Sequence, residues 1–179
     1  MPICRKVTKK REAKLNATVI IIEILVFTAI FTAACFATTG GKNNLQVDNY
    51  PPEIQKEYFK THDKPAPAEF TKTAVIRKVI AILIFAAVLV LMARLAGAES
   101  FLQGFVLSFG MMVWIGAYDT FFMDWVLFAN MKRFRLEGTE HMDKEYHQKW
   151  FHLKGMLFPG TVFALIPAAL VGLVVMLIG

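Results

Sequence analysis

The side chains best suited to take part in chemistry are four ionisable residues that lie inside long apolar stretches. They are Glu23, Arg94, Asp119 and Asp124. Ionisable groups are costly in the hydrocarbon core of a membrane, and those found there commonly belong to the path of a ligand or ion. We therefore take these four residues as candidates for such a path. For Glu23 and Arg94 the alternative is a structural ion pair, because both would fall near the same membrane face.

Asp119 is the sharper of the two aspartate candidates. It lies well inside its apolar stretch, and no other stretch supplies an evident partner at that depth. Asp124 lies near the edge of the stretch beside Trp125, an aromatic residue typical of the membrane interface. At about 100° per residue of an α-helix, residues five apart point to different faces. The sequence therefore does not predict a carboxylate pair.

A second set of reactive side chains lies in the histidine-rich stretch GTEHMDKEYHQKWFHLKG. A helix over this stretch would place His141, Glu145 and His152 on one face and His147 on nearly the opposite face. Histidine and a carboxylate one helical turn apart can chelate a divalent metal, so these four residues are our candidate metal ligands. The alternative is a solvated interfacial helix, in which glutamates pair with lysines four residues further on.

These side chains must be positioned by long apolar segments. Hydrophobic residues make up 56% of the chain and charged residues 19%, which is too apolar for a typical soluble domain. A transmembrane helix needs about 20 mostly apolar residues. We therefore predict an all-α integral membrane protein, a single transmembrane domain of residues 1–179, built as an antiparallel bundle of four helices within the lipid bilayer. The four predicted helices cover residues 17–37, 76–98, 102–129 and 155–178.

Three polar segments complete the predicted organisation. They are a basic tail at residues 1–16, a loop at 39–74 and the polar histidine-rich segment at 131–153. In the loop, Pro52 suits the first position of a short helix, and apolar residues such as Ile54 and Tyr58 favour its lying on the membrane surface. The histidine-rich segment is predicted to form a short interfacial helix before the fourth span.

The third apolar segment, residues 101–129, is longer than a perpendicular span requires. It must therefore tilt or extend into the headgroups. An alternative is that the segment enters and leaves by one face of the membrane, with a turn at Gly116-Ala117-Tyr118-Asp119. Irregular backbone of this kind is tolerated in the hydrocarbon only where protein or water covers it.

The orientation in the membrane is predicted from the lysines and arginines. Six of the 20 lie in the basic tail, which favours a cytoplasmic N-terminus. Thirteen lie on the side of the two long polar segments, which favours the opposite orientation. We follow the tail, because translocating six cations in so short a segment is costly.

Small residues indicate where the helices pack. The fourth segment carries Gly160, Ala164, Ala168 and Gly172 at a spacing of four residues, which is typical of close contact between membrane helices. This stripe predicts packing either within the chain or against a second copy or a larger membrane complex.

Several functional classes are excluded by the sequence. It contains no phosphate-binding glycine loop, dinucleotide fingerprint, nucleophile elbow or paired CxxC motif. The basic tail is not interleaved with aromatic residues, so we expect no nucleic-acid partner. The cofactor is unknown from the sequence, and a divalent metal is the one that the histidine-rich segment suggests.

Five stretches follow one another along the chain: YPPEIQKEYF, RKVIAILIF, GAESFLQGF, YDTFFMDW and RLEGTEHMDKEYHQKWFHLKG. Their order resembles that of a family of short, uncharacterised bacterial multi-pass membrane proteins over residues 50–160. The resemblance implies a protein of the bacterial inner (plasma) membrane. It transfers no functional residue, because no activity is assigned to that family.

Three functions agree with these patterns. The favoured one is transport or binding of an ion or small polar ligand at Asp119, by the chain alone or as a subunit of a larger complex. The second is a metal-assisted membrane enzyme that acts on a lipophilic substrate near Asp124. The third is a structural or assembly partner without a chemical site.

Overall fold

The computed structural model describes residues 14–41, 45–64 and 71–179. The basic tail predicted at residues 1–16 therefore lies almost entirely outside the described residues. Within them the secondary structure is helical, and no strand forms. Four helices are long and apolar enough to cross a membrane, which confirms the prediction of an all-helical chain with four candidate spans.

Long helices and short ones both occur along the chain. In chain order the helices are α1 (Ala17–Thr38), α2 (Pro52–Tyr58), α3 (Lys72–Leu95), α4 (Phe101–Tyr118), α5 (Asp143–Tyr146), α6 (Lys149–Gly155) and α7 (Thr161–Ile178), and 3₁₀ turns cover Val47–Asn49 and Lys132–Phe134. A π-helical segment, Asp119–Phe128, continues α4 without interruption. Together α4 and this π segment form the third long helix, of 28 residues.

Polar side chains fix where the long helices begin. Asn16 accepts hydrogen bonds from two backbone N–H groups in the first turn of α1, and Thr71 does so for one in α3. Ser100 and Gln103 form a reciprocal capping box at the start of α4. Each cap satisfies N–H groups that have no partner inside the helix. The caps therefore define sharp helix starts next to polar connections.

The close contact between α4 and α7 forms the centre of the helical part. Ala164, Ala168 and Gly172 of α7 are buried inside the chain. A Cβ atom at Gly172 would lie 2.8 Å from the carbonyl oxygen of Phe101, so the backbones approach as closely as glycine allows. These three residues of the predicted stripe pack within the chain, and contact of the stripe with a second copy or a larger complex stays a prediction. Gly160, at the end of the stripe, is exposed.

The third apolar segment does not turn back on itself. Helical backbone runs from Phe101 to Phe128, and Asp119 has helical dihedral angles of φ −57° and ψ −57°. The alternative with a turn at Gly116–Asp119 is therefore wrong. What the sequence pattern did not indicate is the change from α-helical to π-helical hydrogen bonding within this helix.

The first polar connection is the loop between α1 and α3, and the second is the polar segment at residues 131–153. They fold together into a cap that covers the end of the π segment. Ile54 and Tyr58 of α2 are 0% and 2% exposed. The prediction that they lie on the membrane surface is wrong, because the cap buries them against other parts of the chain. The core of the cap consists of Val47, Tyr50, Ile54, Tyr58, Met123, Phe128, Phe134, Leu136 and Tyr146.

The end of α1 is joined to the cap at two glycines. Gly41 donates its N–H to the Arg135 carbonyl oxygen at 3.0 Å, and the Arg133 side chain donates to the Phe36 carbonyl. Gly40 has a φ of +92°, and a Cβ atom there would collide with the Arg133 carbonyl. A glycine is required at this position, because it permits both the positive φ and the close approach.

The histidine-rich segment forms two short helices instead of one. α5 ends at Tyr146, and the chain turns before α6 begins at Lys149. The prediction of one continuous interfacial helix is therefore wrong. The shared helical face expected for His141, Glu145 and His152 does not form either.

A second break separates α6 from α7. Phe158 has extended backbone, with φ −150° and ψ 122°, inside the connection Met156–Gly160. α7 consequently begins at Thr161, later than the start at residue 155 that the apolar pattern predicted. The break allows α6 to lie at an angle to α7 and to close over the π segment.

Candidate functional site

The π segment brings Asp119 and Asp124 to the same side of the third long helix. In a π-helix the hydrogen bonds join residues five apart, so such residues lie nearly above one another. Both carboxylates line one cavity, and each lies in the electrostatic field of the other. The expectation that they point to different faces is wrong, since it assumed α-helical geometry. The Asp119 carboxylate has no hydrogen-bond or ion-pair partner among the described residues.

His152 of α6 holds the second carboxylate. Its Nδ1 lies 2.9 Å from Asp124 Oδ2, and its side chain is only 9% exposed. Its Nε2 is buried without a hydrogen-bond partner in the described part of the chain, beside the rings of Phe128 and Phe151. This pattern assigns the imidazole proton to Nδ1, which donates to Asp124. His152 therefore positions Asp124 and also lies in the electrostatic field of Asp119. The Asp119 carboxylate makes no hydrogen bond with the described residues and stays available to a ligand.

The cavity that contains these residues has a volume of about 980 Å³. Small-molecule sites commonly have volumes of roughly 300–1,000 Å³. Its wall is formed by the last turns of α1, by the π segment, by residues 46–53 of the first polar connection and by residues 148–160. The cavity thus lies where the long helices meet the cap.

The cavity wall is acidic, although the chain carries a net charge of +6. Asp119 and Asp124 contribute carboxylates from the helical side, and Asp48 and Glu53 contribute two more from the cap side. Lys154 is the one lysine or arginine among the described lining residues. A concave wall of one charge sign concentrates ligands of the opposite charge. The cavity therefore favours a cation.

Most lining residues were not selected from the sequence, among them Cys35, Thr120 and Trp150. Cys35 lies in the last turns of α1. The four-span topology places this end of α1 on the same side as Asp124, so Cys35 could have been selected from the sequence on that ground. Thr120 is buried beside Asp119. Trp150 is 73% exposed, and no sequence feature distinguishes it from an ordinary interfacial tryptophan.

Glu23 and Arg94 do not form the predicted ion pair. The Arg94 guanidinium donates to the Ala98 carbonyl oxygen at 2.7 Å. Glu23 Oε1 is buried without a hydrogen-bond partner among the described residues. Glu23 borders a separate, largely apolar cavity of about 270 Å³ between α1, α3 and α4. The predicted path of four residues is therefore divided, with Asp119 and Asp124 at one place and Glu23 and Arg94 elsewhere.

The four candidate metal ligands are not brought together. His147 Nδ1 lies 2.7 Å from the Asp143 carbonyl oxygen, His152 lies at the cavity, and His141 is exposed to solvent. Nowhere in residues 14–41, 45–64 and 71–179 do three or more His, Cys, Asp or Glu side chains converge as metal ligands. The site predicted from these histidines and Glu145 does not form. The hypothesis of a metal-assisted enzyme required these ligands and is therefore not supported by the described residues.

Comparison of the chain with protein families, with curated proteins and with solved structures finds no match. The resemblance to bacterial multi-pass proteins and the location that it implies therefore stay predictions. The features that bear on function are therefore the cavity and the residues that line it.

Proposed function

We propose that the protein binds a small cation or polar ligand in this cavity and transports it across a membrane. The observation that carries the proposal is the Asp119 carboxylate, which faces a cavity of ligand size and has no hydrogen-bond partner among the described residues. A second carboxylate close by increases the attraction, because like charges repel unless a cation lies between them. The apolar surroundings of the helix strengthen this attraction relative to water.

The arrangement that accompanies this function is an antiparallel bundle of four helices embedded in lipid. It is supported by large apolar side chains exposed on α1 and α3, such as Ile21, Leu25 and Leu83. A lipid phase covers such surfaces at no cost, whereas water does not. The start of α4 also contacts the end of α7, at Gly104 and Val175, as opposite helix directions require.

The proposed location is the inner membrane of a bacterium, with the N-terminus in the cytoplasm. This orientation rests on the six cations in residues 1–16 and on the family resemblance. The cap and the cavity then face the opposite side of the membrane. A ligand reaches Asp119 from that side.

Charge movement in proteoliposomes tests the proposal. Wild-type protein on a solid-supported membrane is exposed to concentration jumps of sodium, calcium or phenethylammonium chloride. Asp119→Asn removes the charge at nearly constant size. We expect it to reduce the signal about tenfold or more, because a charged contact contributes roughly 1.5–3 kcal/mol.

Asp63→Asn is the matched control. It makes the same change at an exposed residue outside the cavity wall and should leave the signal intact. Charge movement of equal size in Asp119→Asn and wild type, or none with any of the three cations in folded protein, would contradict the proposal. A purely structural or assembly role predicts that contradictory result.

A further inference from the structure

We infer that the ligand of the cavity is an organic ammonium ion with an apolar or aromatic body. The inference rests on the proposed function, since it specifies which cation the Asp119 cavity receives. Three features carry it: the size of the cavity, the distribution of its charges and the aromatic part of its wall.

The size and geometry of the cavity are unsuited to a bare metal ion. Calcium requires six to eight oxygen ligands at roughly 2.3–2.6 Å. The described residues contain no convergent group of three or more His, Cys, Asp or Glu side chains. The cavity volume of about 980 Å³ is also far larger than the space that a single small species fills, since one water occupies roughly 30 Å³. An organic cation instead needs one point of charge and a large contact surface.

The charge that an ammonium group needs is at the helical end of the cavity. His152 already donates a hydrogen bond to Asp124, so the Asp124 carboxylate is held in place within the electrostatic field of Asp119. Asp119 itself has no hydrogen-bond or ion-pair partner among the described residues. An ammonium group beside Asp119 would be attracted by both carboxylates, and each of its N–H groups or polarised methyl groups would point at an oxygen.

The remaining wall is rich in aromatic rings. Cations bind over such rings when they lie within about 6 Å of the ring centre, and the rings also cover an apolar body. The chain uses this contact elsewhere, since Lys149 Nζ lies 5.3 Å from the centre of the Trp125 ring. Trp150 is 73% exposed, so its ring is accessible to a ligand. The aromatic lining residues with exposed or half-buried rings are Phe31, Trp150 and Phe151. Tyr50, Phe128 and Phe134 border the cavity from the buried core of the cap.

Calorimetric titration of the full-length protein in detergent tests the inference. The probes are phenethylammonium, phenethyl alcohol, sodium and calcium. Phenethyl alcohol has the same ring and chain as the amine but no charge. We expect the amine to bind about tenfold more tightly than the alcohol, and Asp119→Asn to remove that preference. Trp150→Leu should weaken amine binding about two- to fivefold, whereas Trp114→Leu, outside this cavity, should not.

Each outcome decides between the two proposals. Equal binding of amine and alcohol, or amine binding that survives Asp119→Asn, overturns the inference. If sodium or calcium binds through Asp119 and the amine does not, the inference fails and the proposed function stands. If no cation binds, both fail.

The ammonium group can come from a free amine or from an aminophospholipid headgroup. The titration is therefore repeated in phosphatidylcholine nanodiscs with and without phosphatidylethanolamine. Weaker binding of phenethylammonium in the presence of phosphatidylethanolamine identifies the headgroup as a competing ligand. Equal binding identifies a free amine, and either result is consistent with the inferred chemistry.

Discussion

Three buried tyrosines hold the cap together, and burial perturbs the acidity of each. Tyr50, Tyr58 and Tyr146 are each no more than 2% exposed. The Tyr50 hydroxyl donates to the Phe134 carbonyl at 2.9 Å, and the Tyr146 hydroxyl accepts from the Leu136 N–H at 2.9 Å. Burial raises the pKa of all three phenols, and the neighbouring Tyr146 raises the pKa of Tyr50 further. The cap therefore depends on neutral tyrosines.

We expect the cap to lose stability at high pH. Unfolded tyrosines ionise near pH 10, whereas the buried phenols ionise at higher pH. Above about pH 10 the folded state thus retains protons that the unfolded state releases, and the free energy of unfolding falls as the pH rises. Below about pH 10 these groups do not make the free energy of unfolding depend on pH, because they are protonated in both the folded and the unfolded state.

The ultraviolet absorbance of phenolate, followed against pH, measures this shift. Tyr50→Phe should remove the component with the most strongly raised pKa. Ionisation of Tyr50, Tyr58 and Tyr146 at the ordinary value in folded protein would contradict the prediction.

The site residues were partly accessible from the sequence. Asp119 and Asp124 could be selected because an acid within an apolar run is unusual in any membrane helix. Their alignment could not be predicted, since the π segment replaces the period of 3.6 residues that defines helix faces. The contact of His152 with Asp124 depends on the break between α5 and α6 and on the angle of α6, which side-chain spacing does not encode.

Among the helices, the contact of α4 with α7 is the one most sensitive to side-chain size. Gly172→Ala would place a Cβ atom 2.8 Å from a backbone oxygen of Phe101. We expect a loss of about 1–3 kcal/mol in the free energy of unfolding, because the backbones must separate. Thermal unfolding in detergent, followed by circular dichroism, measures the loss.

Gly110→Ala provides the matched control on α4. A Cβ atom at Gly110 meets nothing within 4 Å, and alanine favours helix over glycine by roughly 1 kcal/mol. This variant should be as stable as wild type or slightly more so. Equal destabilisation by Gly110→Ala and Gly172→Ala would show that α4 and α7 do not pack as described.

The four long helices were predictable because length and apolarity suffice to define a span. The placement of α2 was not, since an apolar helix face fits a membrane surface and a protein core equally well. Ile54 and Tyr58 are buried by residues from the distant second polar connection, such as Phe134 and Leu136. A local pattern contains no information about such a partner.

Across the whole molecule, the cap joins two connections that lie on one side of the membrane in the proposed arrangement of four crossings. Single cysteines at Asp63, Glu140 and Glu99, introduced after Cys4 and Cys35 are replaced by serine, test this arrangement. All three sites of labelling are exposed. We expect an impermeant maleimide to label Asp63→Cys and Glu140→Cys from the periplasmic side and Glu99→Cys from the cytoplasmic side.

Detergent-permeabilised membranes control for the reactivity of each cysteine. Labelling of all three sites from one face would contradict the bundle of four crossings. Labelling of Glu99→Cys from the periplasmic side, and of the other two from the cytoplasmic side, would agree with the bundle of four crossings. It would contradict the cytoplasmic position of the N-terminus.

The tight joint between α4 and α7 also has a consequence for biosynthesis. α4 precedes α7 in the chain, so during translation its packing surface around Gly104 is complete before its partner exists. Helices inserted into a bilayer associate only when suitable packing surfaces are present together. In the proposed membrane arrangement, Gly104 and Ser108 of α4 would face lipid or an insertion factor until α7 is released from the ribosome. Ribosome-stalled chains that end before Thr161 should therefore be inserted but easily digested by protease, and protection should arise in one late step.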